Sequence, residues 1–283
     1  MALAIALLSI IVSMATYNYN PQHEVIGLLP AGGQATRISP LPCSKELYPI
    51  GFRSQQDGSL RPKVVSHYLL EKMQMAGIRK AFFLLRPGKW DIPAYFGDGN
   101  IVDLDLGYLV VGLPFGVPYT LDRAYPFVKD AAIAMGFPDI LFQPDNTYKR
   151  LLTRLYAGSA DVAINLLPFE QPHKGGMVDF DERGRVRQII EKPTQSDLRY
   201  SWCAAVWKPS FTEFLHQFVA ELEVERHKSS SPPREVPIGD VIQAAINAGL
   251  QVEAEICDRR SYLDIGTPAD LQRAMRLLTS EEI

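Results

Sequence analysis

The residues of this sequence best suited to chemistry follow an apolar run near the start of the chain. Val25–Leu29 has the composition of a buried strand, and it leads into Pro30–Gly33, where few Cβ atoms obstruct the backbone N–H groups. Successive N–H groups exposed in this way can form a cradle for an anion. Arg37 and Lys45 follow, the first a planar fork that matches phosphate oxygens and the second a mobile point charge. This combination predicts a loop that binds a polyphosphate.

A carboxylate suited to metal binding comes later in the sequence. The apolar run Asp139–Gln143 is predicted to be a strand, and Asp145 follows it after Pro144. If this strand ends at the same sheet edge as the loop, Asp145 is a natural ligand for Mg²⁺, which prefers one or two carboxylates with phosphate oxygens and water. The structural alternative is that Asp145 caps a helix over Thr147–Ala157, a role that aspartate performs well. The sequence leaves both interpretations open.

Alternating strands and helices would bring such residues to one sheet edge. Val65, Leu69, Met73 and Ala76 recur at helical spacing, and Ala81–Leu85 follows as a second buried strand. A strand, a crossover helix and a second strand form a right-handed unit with a parallel sheet, and open sheets of this kind bind ligands at their carboxyl edge. The loop after Val25–Leu29 is therefore expected at a ligand-binding edge.

The remaining patterns extend this architecture. A polar excursion is predicted over Arg53–Arg61, a helix over Leu121–Met135 and a hairpin over Gly175–Ile190. Apolar spacing predicts further strands at 104–111, 160–167, 204–207 and 250–256, and further helices at 211–219, 236–248 and 269–278. The sequence thus predicts an α/β fold, Rossmann-like, with a mixed, mainly parallel sheet flanked by helices.

Composition narrows the class of protein. With 283 residues, 47% of them apolar and 22% charged, the chain can bury its core as one large α/β domain or as two closely joined lobes. The net charge of −3 argues against a nucleic-acid surface, because binding to a phosphate backbone needs a basic face. The three cysteines are odd in number and widely spaced, which favours reduced thiols, and the five histidines show no metal-ligand spacing.

The first residues form a separate apolar segment. Met1–Thr16 resembles the core of a signal peptide, but no Lys or Arg precedes it and it is short for a membrane span. A signal or membrane tether, a tail packed on the body and an extension from a misassigned start are the three interpretations. We expect residues 1–23 to be an appendage that the chemistry does not need, attached to a single domain over residues 24–283. A cytoplasmic protein is expected, with membrane contact only if residues 1–16 are retained.

Several short motifs resemble those of one enzyme family. Ala31–Arg37 (AGGQATR), followed by Pro40, Lys45–Leu47 (KEL) and Pro49–Gly51 (PIG), is similar to the signature loop of the sugar-1-phosphate nucleotidyltransferases, in particular the glucose-1-phosphate thymidylyltransferases. It is not a Walker loop, because no Gly-Lys-Ser/Thr follows, and it is not the dinucleotide GxGxxG. The later stretches EKP at 191–193 and YLDIGT at 262–267 resemble two further motifs of that family.

The resemblance implies a fold, a reaction and a set of roles. In this family, with its nucleotide-diphospho-sugar transferase fold, a phosphate oxygen of a sugar-1-phosphate attacks the α-phosphorus of a nucleoside triphosphate and releases pyrophosphate. By resemblance, the partners would be dTTP or UTP with glucose-1-phosphate, the cofactor would be Mg²⁺, and a homo-oligomer is compatible. Residues 24–165 would form the nucleotide-binding part and residues 166–283 the sugar-phosphate-binding part. The expected roles are nucleotide binding by Ala31, Gly32, Gly33, Thr36 and Gly116, catalysis by Arg37 and Lys45, sugar-phosphate binding by Gly176, Glu191 and Lys192, and metal binding by Asp145 and Asp264.

Three departures from the family pattern keep other functions open. Ala35 stands where the family usually has a third glycine, Pro118–Thr120 replaces the usual residues of the loop that reads the nucleobase, and Tyr262 replaces tryptophan. One alternative is a non-catalytic regulatory homologue that binds a nucleotide or a sugar phosphate. Another is a nucleotide-sugar-dependent glycosyltransferase, since such enzymes place a D-x-D pair on their metal and residues 103–105 have that spacing.

Overall fold

A ten-stranded mixed sheet forms the centre of the molecule in the computed structural model, which describes residues 24–54, 57–112, 115–228, 235–257 and 262–279. The strands are β1 (Val25–Ala31), β2 (Pro49–Ser54), β3 (Leu60–Val64), β4 (Lys80–Leu85), β5 (Asp105–Val110), β6 (Ala132–Gly136), β7 (Ile140–Phe142), β8 (Val162–Pro168), β9 (Gly176–Phe180), β10 (Val186–Glu191), β11 (Tyr200–Ser201), β12 (Ala204–Trp207), β13 (Val252–Ile256) and β14 (Tyr262–Asp264). The sheet order is β10-β9-β11-β8-β12-β6-β1-β4-β5, with β13 beside β8. Two small sheets pair β2 with β3 and β7 with β14.

Helices cover both faces of the large sheet. They are α1 (Val65–Met75), α2 (Asp91–Phe96), α3 (Val117–Asp122), α4 (Tyr125–Val128), α5 (Thr147–Ala157), α6 (Pro209–Lys228), α7 (Ile238–Asn247) and α8 (Pro268–Thr279). Successive side chains of β1 point to opposite faces, so Leu29 packs in the core under α1 and α5, and Leu28 packs in the core under α3, α6 and α7. The mixed sheet with helices on both faces confirms the predicted α/β class.

The half of the sheet that carries the glycine-containing loop is parallel. β1 pairs in parallel with β4 and with β6, and β4 pairs in parallel with β5. All five residues of β6 are buried, as expected for a strand covered by helices on both faces. Since these strands run in the same direction, the segments that follow β1, β4 and β6 meet at one edge of the sheet.

The other half of the sheet is largely antiparallel and contains the predicted hairpin. β12 pairs antiparallel with both β6 and β8, and β9 pairs with β10 so that Gly176 lies opposite Glu191. Asp181 closes the hairpin turn by accepting the backbone N–H groups of Arg183 and Arg185 at 3.0 and 2.9 Å. The division into nucleotide and sugar-phosphate parts stays a prediction, and its boundary at residues 165 and 166 lies inside β8.

The segment from residue 121 to residue 142 differs from the sequence prediction. The helix predicted over Leu121–Met135 is wrong, because this stretch forms the end of α3, the short α4 and then most of β6. Periodicity cannot separate a short buried strand from a buried helix, and β6 is an apolar run enclosed between β1 and β12. The strand predicted over Asp139–Gln143 is present as β7, but it pairs with β14 outside the large sheet.

Some predicted segments lie partly or wholly outside the described residues. The appendage at residues 1–23 is one of them. The excursion predicted over Arg53–Arg61 contributes its described ends to the β2–β3 hairpin. Within the described ranges, no helix is both long enough and apolar enough to cross a membrane.

Candidate active site

The loop after β1 is folded around the carbonyl group of Ala35. The backbone N–H groups of Ile38 and Ser39 donate to this oxygen at 3.1 and 3.0 Å, and the Ser39 hydroxyl donates to it at 2.9 Å. Ala35 has a φ of 54°, in the left-handed region that glycine adopts without strain. The residue that departs from the family pattern therefore keeps the backbone conformation that a glycine would favour.

The predicted nucleotide-binding residues of this loop differ in accessibility. Gly33 and Thr36 are exposed and Gly32 is half-buried, whereas Ala31 ends β1 inside the sheet at 1% exposure. Gly32, Gly33 and Thr36 are thus accessible at the carboxyl edge of the sheet. Their roles toward a nucleotide stay predictions.

Lys45 lies beside the glycines of the loop and is held by a carboxylate. Its Nζ forms an ion pair with Asp139, and it lies 3.5 Å from where a Cβ on Gly33 would be. Burial alone would lower the pKa of Lys45, but the charges of Asp139, Glu46 and Asp264 together outweigh burial and raise it. A charged ammonium group therefore stands beside the glycine-containing loop at neutral pH.

A cavity of about 390 Å³ opens next to Lys45 at the carboxyl edge of the sheet. It collects residues from distant parts of the chain, including six of the predicted site residues. Its lining includes Arg37, Lys45, Asp139, Lys174, Gly176, Glu191, Lys192, Trp202, Tyr262 and Asp264. Cations and carboxylates therefore alternate around one opening of a size that suits a small phosphorylated ligand.

Asp264 reaches this cavity from β14, and Asp139 reaches it from the turn between β6 and β7. The pairing of Asp264 with Ile140 across the small β7–β14 sheet brings the two carboxylates together. Asp264 accepts the backbone N–H of Gly266 at 2.8 Å and lies 3.9 Å from the Arg37 guanidinium. Burial raises the pKa of Asp264, and the charge of Asp139 raises it further. The two carboxylates repel each other, so a cation between them would be favourable.

The structure does not bring Asp145 to the cavity. Its carboxylate pairs with Lys72 of α1 and is 59% exposed. Helix α5 begins after Asn146, so Asp145 precedes the N-cap position as well. The carboxylate that lies beside Asp264 at the cavity is Asp139 and not Asp145. The same pattern, a carboxylate after a buried strand, selects Asp139 when Ala132–Gly136 is taken as that strand.

The sugar-phosphate residues predicted after the hairpin also line the cavity. Glu191, opposite Gly176, accepts the backbone N–H of Gly239 in the first turn of α7, and burial, followed by the charge of Asp240, raises its pKa to about 7. A Cβ on Gly176 would lie 2.6 Å from the Glu191 Oε1, and a Cβ on Gly239 would lie 1.8 Å from it. Two glycines therefore make the space that this carboxyl group occupies.

Lys192 and Gly116 have backbone conformations of the left-handed region. Lys192 has a φ of 46° and donates its N–H to the Gly175 carbonyl at 3.0 Å. Gly116 has a φ of 117°, and a Cβ there would lie 2.3 Å from the carbonyl oxygen of Val236. Close backbone contact is thus a sufficient reason for glycine at 116, and its predicted role toward a nucleobase stays a prediction.

The D-x-D spacing at residues 103–105 lies elsewhere. Asp103 has an exposed carboxylate that accepts hydrogen bonds from Gln74 at 3.0 Å and Arg79 at 3.2 Å, and Asp105 begins β5. Neither residue lines the cavity. The geometry therefore gives no support to a glycosyltransferase metal site at this pair.

The fold and the cavity define an α/β protein with a charged cavity at the carboxyl edge of its sheet. The nucleotidyl transferase family model matches residues 26–281, and the chain therefore belongs to that family. This finding confirms the resemblance noted in the sequence, and it makes the chain a nucleotidyltransferase by family.

Individual relatives agree with this assignment. The chain is 26% identical over 263 residues to a low-salt glycan biosynthesis nucleotidyltransferase of Haloferax volcanii, covering 90% of this chain and 66% of that protein. It is 26% identical over 247 residues to a glucose-1-phosphate thymidylyltransferase of Mycolicibacterium smegmatis, covering 85% of this chain and 77% of that protein. A solved UDP-glucose pyrophosphorylase complexed with UDP-glucose has the same fold, with a TM-score of 0.72 at 16% identity over 92% of this chain and all of that one.

Proposed function

We propose that this protein transfers a nucleotidyl group from a nucleoside triphosphate to a sugar-1-phosphate, with dTTP or UTP and glucose-1-phosphate as the substrates. One observation carries the proposal: Lys45, Asp139 and Asp264 meet at the same cavity as Glu191 and Lys192, beside the glycine-containing loop. The sugar-1-phosphate and the triphosphate could therefore bind next to each other. The similarity to the Mycolicibacterium smegmatis glucose-1-phosphate thymidylyltransferase supports dTTP and glucose-1-phosphate.

The reaction balances without a proton acceptor. A phosphate oxygen of the sugar-1-phosphate attacks the α-phosphorus and forms a new P–O bond. The bond from the α-phosphorus to the oxygen that bridges to the β-phosphate breaks, and pyrophosphate leaves with that electron pair. Because the nucleophile is already an anion, the protein has to align two polyanions and stabilise the charge that grows on the leaving group.

The residues around the cavity can divide this work. The backbone of Gly32 and Gly33 would hold the triphosphate, and Arg37 and Lys45 would stabilise the departing pyrophosphate. Lys192 would bind the phosphate of the sugar-1-phosphate. Gly239 holds the carboxyl group of Glu191 beside the cavity. This carboxyl group would accept a hydrogen bond from a sugar hydroxyl.

A divalent cation fits the pair Asp139 and Asp264. Among the described residues, no group of three or more His, Cys, Asp or Glu side chains could hold a metal by itself. Mg²⁺ needs no such group, since one or two carboxylates with phosphate oxygens and water suffice. After burial, the charge of Asp139 is the next cause that raises the pKa of Asp264, so the two carboxylates lie close enough for one cation to serve both. When bound, Mg²⁺ would neutralise charge on the phosphates.

Pyrophosphate release tests the proposal. Each nucleoside triphosphate is combined with a small panel of sugar-1-phosphates in the presence of Mg²⁺, and pyrophosphate is measured by a coupled assay. We expect release with dTTP or UTP and glucose-1-phosphate. Saturable nucleotide binding with no release from any pair would contradict the proposal and would instead identify a binding protein that has lost the chemistry.

A further inference from the structure

The chain on both sides of Lys45 is tied to the connection between β4 and α2. Before it, the backbone N–H and the hydroxyl of Ser44 donate to Asp91 at 2.6 and 2.7 Å. After it, Glu46 accepts a hydrogen bond from Lys89 at 2.6 Å. These contacts join parts of the chain more than 40 residues apart, since Lys89 is 43 residues from Glu46. Lys45 is therefore the central residue of a segment anchored at its two neighbours.

The Glu46–Lys89 pair is buried to a degree that stability alone does not explain. Glu46 is 1% exposed and Lys89 is 5% exposed. The second carboxylate oxygen of Glu46 makes no hydrogen bond within the described part of the chain. Replacing a buried ion pair by apolar side chains of similar volume is often neutral or stabilising, because desolvating two charges is costly. A pair in this position suggests a purpose other than holding the fold together.

The side chain of Lys45 lies between two cavities and therefore needs support from the backbone that carries it. Lys45 lines the main cavity on one side, and on the other side it lines a second cavity with Gly33, Arg86 and Lys89. Packing therefore cannot fix its side chain from both sides. Its position depends on the ion pair with Asp139 at its tip and on the 3₁₀ turn Lys45–Leu47 at its base. In that turn, Glu46 is held by Lys89, and its carbonyl accepts the Ser66 hydroxyl at 2.7 Å.

Charge also links the two pairs. Burial raises the pKa of Glu46 and lowers that of Lys89, and in each case the partner's charge opposes the shift. The charges of Lys45 and Asp139 act on both members of the pair. Removing one member would therefore disturb the charge of the other and the field at Lys45.

We infer that Glu46 and Lys89 form a positioning pair that holds Lys45 at the glycine-containing loop for nucleotidyl transfer. The pair touches no substrate in this account, and it acts through the backbone of the turn that carries Lys45. The inference rests on the proposed function, because it assigns the pair a role in the step that Lys45 supports. A shift of about 1 Å in a catalytic group can cost about 100-fold in rate, so a positioning pair would have a large effect.

The first experiment separates positioning from folding. A double variant, Glu46→Leu with Lys89→Met, removes both charges and keeps apolar volume, so it should fold and melt near the wild-type temperature. We expect its kcat to fall by about 10- to 100-fold while the KM for the sugar-1-phosphate stays nearly unchanged. The matched control is Lys72→Met, which removes a lysine of similar burial whose partner, Asp145, lies outside the cavity and is 59% exposed, so this variant should also melt near the wild-type temperature and should keep its kcat. A double variant with wild-type kcat would overturn the inference.

The second experiment asks whether the pair acts through Lys45. Lys45→Ala alone should lower kcat by about 100-fold, the cost of losing one charge partner of the transition state. In the Lys45→Ala background, the double replacement should change kcat by less than about threefold, since residues that act as a unit are not additive. A further loss as large as that in the wild-type background would show an independent role and contradict positioning.

A third measurement does not depend on turnover. The rate at which an amine-reactive acetylating reagent modifies Lys45 is followed by mass spectrometry in the wild type, the double variant and the Lys72→Met control. Lys45 has a side chain only 15% exposed, so the wild-type rate should be slow. We expect about 10-fold faster modification in the double variant alone. An unchanged rate would refute the positioning pair, whereas a wild type that releases no pyrophosphate would refute only the proposed function.

Discussion

Asp139 and Asp145 are six residues apart, and the structure places them in different surroundings. Asp139 shares the cavity with Asp264, whereas Asp145 pairs with Lys72. We predict that Asp139→Asn and Asp264→Asn each lower turnover by about 100-fold or more, because each removes a charge that would hold the cation at the phosphates. Asp145→Asn should lower the unfolding temperature, since it leaves the buried Lys72 ammonium without its charge partner, and should keep turnover close to wild type.

Steady-state kinetics over a range of Mg²⁺ concentrations measures this difference. Loss of activity in the Asp145 variant that added Mg²⁺ restores would contradict the assignment and return the metal to Asp145. Near wild-type turnover in the Asp139→Asn variant would also contradict the assignment of the metal to Asp139. Circular dichroism confirms that each protein compared is folded.

The backbone conformation of Ala35 is strained for a residue other than glycine. An L-residue other than glycine in the left-handed region costs about 1 kcal/mol or more, but glycine costs about 0.5–1 kcal/mol more entropy on folding, so the two effects nearly cancel. We predict that Ala35→Gly changes the free energy of unfolding by less than about 1 kcal/mol, while Ala35→Val lowers it by about 1–2 kcal/mol because a branched Cβ fits this region worst. Urea unfolding gives both values. A large loss for the glycine variant would contradict this account.

Turnover of the same variants tests how the loop meets its ligand. If the methyl group of Ala35 crowds the triphosphate, the glycine variant turns over faster than the wild type. An equal rate means that the loop already fits. The valine variant serves as the comparison. Its backbone should not keep the loop conformation, so we expect it to turn over more slowly and also to unfold more easily.

At the scale of elements, β10 and α7 together hold Glu191. A Cβ on Gly239 would lie 1.8 Å from the Glu191 Oε1, and a flexible side chain can move away from it. We predict that Gly239→Ala keeps the fold but displaces Glu191 from the Gly239 N–H, raising the KM for the sugar-1-phosphate by about 10-fold, the value of one hydrogen bond to a charged group. Gly158→Ala is the matched control, since a Cβ there would lie 3.6 Å from its nearest neighbour, Glu253. Equal KM values for the two variants would contradict the prediction.

The sequence predicts those elements whose signal is local. The unit β1–α1–β4 follows from two buried runs and helical spacing, and the β9–β10 hairpin follows from alternation around a turn. The segment 121–142 could not be resolved in this way, because β6 is a five-residue apolar run whose pairing partners are distant in sequence. Because of that error, Asp145 is the carboxylate expected at the sheet edge, whereas the structure places Asp139 at the cavity.

At the scale of the molecule, the site depends on contacts that no local pattern encodes. Lys45 and Asp139 are 94 residues apart, and Lys89 and Glu46 are 43 apart. The motifs around residues 31–37, 191–193 and 262–267 predict that phosphate, sugar and metal groups converge, and Arg37, Lys192 and Asp264, one residue from each motif, line the same cavity. They do not show which carboxylate meets Lys45 or that Lys89 is buried against Glu46, since both facts follow from how β4, β6 and the loop after β1 stack at one edge.

A ligand that contacts this edge should stabilise the whole fold, because its partners come from both halves of the sheet. A nucleotide with Mg²⁺ at 100 times its dissociation constant adds about 2.7 kcal/mol to the free energy of unfolding. For a domain of this size, each kcal/mol raises the melting temperature by about 2–4 °C, so we predict a rise of about 5–10 °C in a single transition. Scanning calorimetry with nucleotide alone, Mg²⁺ alone and both together isolates the part that needs the metal. The metal-dependent rise in melting temperature should vanish in Asp264→Asn and persist in Asp145→Asn. A melt with two transitions, of which only one shifts, would show that the two halves of the sheet do not share the ligand.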